Sequence, residues 1–331
     1  MQTNNTYKRK GEQAARQQRK IQTSVTRAEK RLGKSKEPTA MQAGARKYPE
    51  APLPGKKLKK PGIESDLTLE PMYDAPYYQG SGKVRDMVAI ITGGDSGIGR
   101  SVAILFAREG ADVAIVYLNE HSDARKTKQL VEQEGRKCII IPGDVTDSEF
   151  SAYAVKQTIG EFGKLDILVN NSAFQMHVPD IDHLSEEHFD LTLKTNLYGY
   201  FHMTRAALPY LKKGSSIINT GSVTGIRGSK NIPDYSLTKG GIHAWTRAIG
   251  GKLVSKGIRV NCVAPGPVWT PLNPADKKRE QVEEFGADTP MKRAAQPEEI
   301  APAYVYFASD LDSSYVTGEV LTLLGGETTA G

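Results

Sequence analysis

The feature that most constrains the fold of this chain is a regular alternation of short β-rich runs with longer helical stretches, which starts at residue 84. Because a chain that alternates in this way builds a parallel sheet wrapped by crossover helices, we predict an α/β fold. Seven strands in one sheet make that fold doubly wound, with helices on both faces and a ligand crevice at the carboxyl ends of the strands. The predicted strands are 87–92, 113–117, 138–141, 167–170, 216–219, 259–263 and 320–323. The predicted helices are 98–108, 122–134, 148–162, 185–211, 235–255 and 297–309.

A basic N-terminal extension precedes this region. Residues 1–47 hold thirteen Lys or Arg against three Glu, whereas the whole chain has a formal net charge of +6. We predict that residues 1–46 form a solvated, disordered tail, because a polar segment poor in aromatic residues buries too little apolar surface to order itself. The alternatives are a basic amphipathic helix and a handle for an anionic partner such as nucleic acid or a membrane surface. The positions that would form the apolar face of that helix are Ile21, Val25, Ala28 and Leu32.

Residues 47–83 have the composition of an extended arm. Six prolines lie between residues 49 and 76, and proline removes a backbone donor and interrupts helices and sheets. Tyr73, Tyr77 and Tyr78 lie near the end of the arm, which indicates that it packs against the body of the domain. We therefore divide the chain into a tail, an arm and a catalytic domain over residues 84–331.

Several protein classes lack their usual sequence signals here. Cys138 and Cys262 lie in or beside predicted strands, and we expect two buried, reduced thiols in a cytoplasmic protein. No apolar run approaches the ~18 residues of a membrane span, so we expect no membrane contact. The histidines lack metal-ligand spacing, so we expect no metal. No nucleophile elbow or phosphate-binding lysine motif occurs, which argues against hydrolases and phosphoryl-transfer enzymes.

A glycine-rich turn joins the first predicted strand to the first helix. It reads Thr-Gly-Gly-Asp-Ser-Gly-Ile-Gly over residues 92–99. Gly93, Gly97 and Gly99 allow a tight turn, close approach of the backbone to a pyrophosphate, and close packing of helix on strand. The free N–H groups and the positive dipole end of the helix that follows favour phosphate. The position of the turn predicts a dinucleotide site.

The spacing Thr-Gly-x-x-x-Gly-Ile-Gly resembles the classical short-chain dehydrogenase/reductase family, whose fold is of the Rossmann type, and the resemblance covers residues 84–326. It implies that Asp144 and Val145 meet the adenine, and that the loop 265–270 holds the nicotinamide carboxamide through the Val268 backbone and the Thr270 hydroxyl. Residues 170–173 read Asn-Asn-Ser-Ala where the family usually has Asn-Asn-Ala-Gly. The coenzyme-binding residues implied in this way are Gly93, Asp95, Ser96, Gly97, Ile98, Gly99, Tyr117, Leu118, Asn119, Asp144, Val145, Asn171, Ser172, Ala173, Tyr235, Lys239, Pro265, Gly266, Val268 and Thr270.

The choice between NAD and NADP depends on the end of the second strand. An acidic residue there binds the ribose 2′-hydroxyl, whereas an arginine accepts a 2′-phosphate. Tyr117 stands where NAD-preferring relatives often have Asp, and Leu118 where NADP-preferring relatives often have Arg. Because Ser96 in the glycine loop is not basic either, the sequence favours NAD over NADP.

A Tyr-Ser-Leu-Thr-Lys segment over residues 235–239 is the second anchor of the resemblance. Residues four apart share a helix face, so Tyr235 and Lys239 project together into the crevice. A tyrosine alone is a poor base at neutral pH, and we expect the ammonium and the oxidised nicotinamide to lower its pKa. The resemblance makes Tyr235 the general acid/base and Ser222 the hydroxyl that holds the substrate oxygen. It makes Asn196 the holder of a water that links Lys239 to solvent.

The chain also resembles bacterial members of the family that carry a proline-rich arm, some of them labelled glucose- or ribitol-dehydrogenase-like. Pro61-Gly62-x-Glu64 resembles that arm. The resemblance implies hydride transfer between nicotinamide and an alcohol/carbonyl pair, with a sugar, polyol, aldehyde or ketone as substrate, in a homotetramer. The alternative is a non-catalytic dinucleotide-binding or scaffold protein that holds a partner with its basic tail. The charges of the lid, residues 270–296, are interpreted as a solvated face.

Overall fold

The structure, a computed structural model, describes residues 16–17, 19–20, 22–24, 26–27, 30, 39–42 and 44–328. The positions 21, 25, 28 and 32 of the predicted amphipathic face lie outside the described residues, as does most of the predicted tail. Residues 1–39 and 40–331 separate into two units. The described residues between 16 and 30 are helical and exposed.

The sheet of the second unit has seven parallel strands, as the alternation predicted. Their order is β3-β2-β1-β4-β5-β6-β7, so the chain reverses direction across the sheet between β1 and β4. In α/β sheets a ligand crevice opens at that switch point. The strands are β1 Val88–Thr92, β2 Asp112–Tyr117, β3 Cys138–Pro142, β4 Ile167–Asn170, β5 Ser216–Thr220, β6 Arg259–Pro265 and β7 Val320–Leu323.

Helices cover both faces of this sheet. They are α1 Gly97–Arg108, α2 His121–Gln133, α3 Ser148–Phe162, α4 Glu186–Leu193, α5 Gly199–Ala207, α6 Thr224–Arg227, α7 Pro233–Leu253, α8 Arg279–Glu283, α9 Pro297–Ala308 and α10 Asp310–Ser313. The prediction of one regular helix over 185–211 is wrong. A π-helical segment, Lys194–Tyr198, separates α4 from α5, and α5 ends at Ala207. Such segments are frequent at functional sites.

The core consists of two apolar layers, one on each face of the sheet. Neighbouring residues of β1 belong to different layers: Ile91 packs with Phe106 and Phe307, whereas Ile90 packs with Leu168 and Met203. All five residues of β1 are buried, as expected for a strand covered on both faces. The two layers confirm the doubly wound architecture.

The arm lies against this body. Apart from the 3₁₀ turn Glu64–Asp66, its described residues form neither helix nor strand. Leu58 N donates to Pro274 O at 3.0 Å, and the Trp269 indole donates to Leu69 O at 3.0 Å. Met41, which belongs to the predicted tail, also contacts this body through its N–H, which donates to Met291 O at 3.0 Å. The tail, arm and domain boundaries at 46 and 83 stay predictions. No helix in the described part of the chain is long and apolar enough to cross a membrane.

Candidate active site

A cleft of about 960 Å³ opens at the carboxyl ends of the strands. Most of the residues predicted to bind coenzyme or substrate line it. They are Gly93, Asp95, Ser96, Gly97, Ile98, Tyr117, Leu118, Asp144, Val145, Asn171, Ser172, Ala173, Ser222, Tyr235, Lys239, Pro265, Gly266, Val268 and Thr270. Three predicted residues, Gly99, Asn119 and Asn196, do not line it.

The glycine loop packs too closely for side chains. Gly97 has φ +51°, and a Cβ on it would lie 2.9 Å from Thr270 Cγ2. A Cβ on Gly99 would lie 2.0 Å from the carbonyl oxygen of Gly93. Gly99 therefore packs the helix on the strand instead of facing the cleft. The Asn171 amide donates to the carbonyl oxygens of Thr92 and Gly93, both at 3.1 Å. The N-terminus of α1, where Ser96, Gly97 and Ile98 line the cleft, fits a diphosphate.

Two carboxylates lie at the end of the cleft formed by β2. Glu120 is 7% exposed and lines the cleft in place of Asn119, whose N–H donates to Glu120 Oε2 at 2.9 Å. Burial, reinforced by the charge of Glu120, raises the pKa of Asp95 to about 7. Glu120 was not among the predicted residues, although it directly follows three residues that were assigned to the coenzyme.

Ser222, Tyr235 and Lys239 converge on the floor of the cleft. Ser222 follows β5, whereas Tyr235 and Lys239 lie one turn apart on α7. Lys239 Nζ is 5.3 Å from the centre of the Tyr235 ring and donates to the Thr220 carbonyl oxygen at 2.7 Å. The structure thus brings together three of the four predicted catalytic residues.

The protein groups around Tyr235 raise its pKa. Burial of the phenol is the main cause, the charge of Asp276 adds to it, and Ser222 opposes it. Burial also lowers the pKa of Lys239 to about 7. The Lys239 Nζ is directed towards the carbonyl oxygen of Thr220 and the hydroxyl of Tyr200.

Asn196 lies outside the lining of the cleft. It is fully buried in the π-helical segment. Its Oδ1 accepts from Phe174 N at 2.8 Å, and its Nδ2 donates to Phe174 O and Thr238 Oγ1. Its side chain therefore ties the loop after β4 to α7, and none of its described hydrogen bonds reaches Lys239.

His243, which the sequence analysis left unassigned, lies beneath Ser222. The Ser222 N–H donates to His243 Nε2 at 3.4 Å. Burial and the nearby charge of Lys239 lower the pKa of His243 to about 4, so the ring is neutral at pH 7. A neutral acceptor at this point holds the backbone of the serine. The sequence signal that could have identified His243 was its position four residues after Lys239, on the same face of the helix.

A polar cluster closes the outer end of the cleft. Asp276 is 4% exposed, so its interpretation as part of a solvated lid face is wrong. It accepts from Gln175 Nε2 at 2.8 Å and pairs with the ring of His177. Lys277 Nζ contacts His177 Nε2 at 3.3 Å, and Lys60 of the arm donates to Gln175 O at 2.6 Å. Among the described residues, no group of three or more His, Cys, Asp or Glu is arranged to hold a metal ion.

The sequence matches known proteins over most of its length. The profile of the family described as Enoyl-(Acyl carrier protein) reductase matches residues 93–328. The chain is 51% identical to the uncharacterized oxidoreductase YhdF of Bacillus subtilis over 84% of its own length and 96% of that protein. It is 44% identical to the glucose and ribitol dehydrogenase of Daucus carota, over 82% of its own length and 96% of that protein.

Solved structures agree with this likeness. The chain superposes on a short chain dehydrogenase from Burkholderia cenocepacia, crystallised in complex with NADP, with a TM-score of 0.69 at 30% identity. The superposition covers 74% of this chain and 98% of that one. The fold, the cleft and the shared sequence therefore point to one family.

Proposed function

The chain belongs to the short-chain dehydrogenase/reductase family of oxidoreductases, and on that premise we propose that it moves a hydride between a nicotinamide dinucleotide and an alcohol/carbonyl pair, with Tyr235 as general acid/base. The observation that carries the proposal is the convergence of Ser222, Tyr235 and Lys239 beside a glycine loop in one cleft. The nicotinamide, when bound, supplies or accepts the hydride at the substrate carbon.

The side chains have separate tasks in this proposal. The Ser222 hydroxyl orients the substrate oxygen, helped by Thr224, whose N–H and hydroxyl donate to Ser222 Oγ at 3.2 and 3.0 Å. Tyr235 is held protonated by its buried environment, which suits it to protonate a carbonyl oxygen in the reducing direction. Lys239, with its pKa near neutrality, exchanges protons close to the phenol. Asn196 keeps the loop after β4 and α7 in register, and its predicted role in a water relay stays a proposal.

The coenzyme would lie from the carboxylates at β2 to the loop after β6. Thr270 and the Val268 backbone would hold the carboxamide, although the Val268 carbonyl oxygen already accepts from Asn273 Nδ2 at 3.0 Å. Asp95 and Glu120 line the adenosine end, and the charge of Glu120 beside an acidic Asp95 disfavours a 2′-phosphate. We therefore keep NAD as the preferred coenzyme.

A substrate panel tests this function. The protein is incubated with NAD and with NADP over alcohols, polyols and sugars, a choice supported by the name of the Daucus relative. Formation of reduced nicotinamide is followed by its absorbance, and the reverse reaction is tested with aldehydes and ketones. We expect turnover with NAD above that with NADP, and loss of turnover in Tyr235→Phe. A protein that binds coenzyme but turns over no member of the panel would favour the non-catalytic alternative.

The assembly and the surroundings of the chain are further proposals. Tyr198 and Phe201 are 55% and 40% exposed, beside the helix that carries the catalytic tyrosine, which supports a homotetramer built on these helices. Light scattering after gel filtration measures the mass of the assembly, which should be that of four chains. The buried free cysteines Cys138 and Cys262 support a reducing, cytoplasmic location, which cell fractionation tests. Deletion of residues 1–39 tests whether the tail binds an anionic partner.

A further inference from the structure

The arm places a carboxylate at the beginning of α1. Glu64 is 2% exposed, although Ser65 and Asp66 beside it are exposed. Its Oε2 accepts from the Gly97 N–H at 2.7 Å. This is the first of the N–H groups that have no partner inside a helix, and Ser96, the residue before α1, makes no side-chain cap. A residue of the arm thus caps the helix of the glycine loop.

The second oxygen of Glu64 reaches the other side of the same loop. Glu64 Oε1 pairs with Arg100, which is 1% exposed. The Arg100 guanidinium donates to the Asp95 carbonyl oxygen from Nη2 at 2.8 Å and from Nε at 3.1 Å. The Thr127 hydroxyl donates to that carbonyl at 2.7 Å. Glu64 therefore restrains both backbone groups that flank Ser96, the Asp95 carbonyl and the Gly97 N–H.

The turn that carries Glu64 is itself anchored. Asp123 of α2, also 1% exposed, accepts from the N–H groups of Glu64 at 2.6 Å and of Ser65 at 3.3 Å. Next to it, the Tyr73 ring lies 5.0 Å from the Arg100 guanidinium. An ion pair buried this deeply is weak evidence for stability, since desolvation offsets its attraction. Its geometry fits a role in holding one conformation.

We propose that Glu64 is a positioning residue for the coenzyme, which holds the glycine loop in the conformation that receives the diphosphate. This inference rests on the proposed use of a nicotinamide dinucleotide. Pro61 and Gly62 line the same cleft, so the arm is one wall of the coenzyme site. A loop that is fixed before binding loses less conformational freedom when the ligand arrives, which raises affinity.

Glu64→Gln is the sharpest test. Both partners of Glu64 are donors, and an amide has one acceptor oxygen, so either Gly97 or Arg100 then faces an NH₂ group. Calorimetric titration of the full chain compares the preferred coenzyme, ADP and adenosine. We expect Glu64→Gln to bind the coenzyme and ADP at least tenfold more weakly than the parent protein does. Its affinity for adenosine should stay within about twofold of the parent value, and its kcat at saturating coenzyme within about threefold. Asp66→Asn, an exposed carboxylate of the same turn, is the matched control and should change none of these.

A second variant covers the case in which Glu64→Gln does not fold because Arg100 keeps only Asp123, at 3.8 Å, as a carboxylate partner. Glu64→Gln combined with Arg100→Met removes both charges of the ion pair. This double variant should show the same tenfold loss of coenzyme affinity, because the guanidinium no longer donates to the Asp95 carbonyl oxygen. Coenzyme affinity equal to or tighter than that of the parent, or an equal loss for adenosine, overturns the inference alone. A parent protein that binds neither NAD nor NADP overturns the proposed function and this inference with it.

Discussion

Gly99 and Gly160 are both helical glycines, and the structure predicts opposite effects of alanine at the two positions. A Cβ on Gly99 would lie 2.0 Å from the Gly93 carbonyl oxygen and 2.9 Å from Asn171 Nδ2. The nearest atom is backbone, which does not move aside as a flexible side chain can. Gly160 lies exposed near the end of α3, and no atom lies within 4 Å of its Cβ position.

The magnitudes follow from these surroundings. Gly160→Ala should raise the free energy of unfolding by about 0.5–1 kcal/mol, because alanine costs less backbone entropy in a helix. Gly99→Ala must move α1 away from β1 or distort the glycine loop, and overpacking of this kind costs about 1–3 kcal/mol or more. The shift also displaces the N-terminus of α1, so coenzyme affinity should fall at least tenfold.

Urea unfolding and coenzyme titration of both variants measure these effects. The difference in unfolding free energy between the two variants should be about 1.5 kcal/mol or more. A Gly99→Ala protein with the stability and coenzyme affinity of the parent would show that the close packing of helix on strand does not constrain this turn.

Three further predictions concern the chemistry of the cleft. Ser222→Ala should lower kcat by a factor of about 10²–10³ with little change in coenzyme affinity, since one donor to the reacting oxygen is lost. Steady-state kinetics measure this loss. Alcohol oxidation needs the phenolate form of Tyr235, which is scarce at neutral pH because the pKa of this residue is raised. The rate of oxidation should therefore rise about tenfold per pH unit above pH 7, whereas the rate of carbonyl reduction should stay nearly flat. An oxidation rate that is already level at pH 7 would contradict this. Glu120→Gln should raise kcat/KM for NADP relative to NAD about fivefold, as one repulsive charge of about 1 kcal/mol is removed. Glu149→Gln, an exposed carboxylate on α3, is the control and should leave the ratio unchanged.

The elements of this fold could be predicted because their signals are local. Short aliphatic-rich runs predicted β4 and β7 with the observed bounds. A spacing of four residues placed Tyr235 and Lys239 on one face of a helix. Four glycines within the seven residues 93–99 predicted the turn between β1 and α1. Each of these signals lies within a short stretch of chain.

The features that the sequence did not predict depend on contacts between distant segments. The π-helical segment contains Asn196, whose side chain bonds to Phe174 and Thr238, 22 and 42 residues away. Asp276 is buried by Gln175 and His177, about a hundred residues earlier in the chain. Charge in a lid segment is most often solvated, and no local pattern marks the one carboxylate that is not.

The central claim is that Tyr235 moves the proton in a cleft that binds a nicotinamide dinucleotide. Tyr235→Phe removes one hydroxyl oxygen and leaves the ring, so coenzyme affinity measured by titration should stay within about threefold of the parent. In the same preparation, turnover of the best substrate should fall at least a thousandfold. Turnover near the parent level, with coenzyme bound equally well, would contradict the account, because the reaction would then proceed without the phenol.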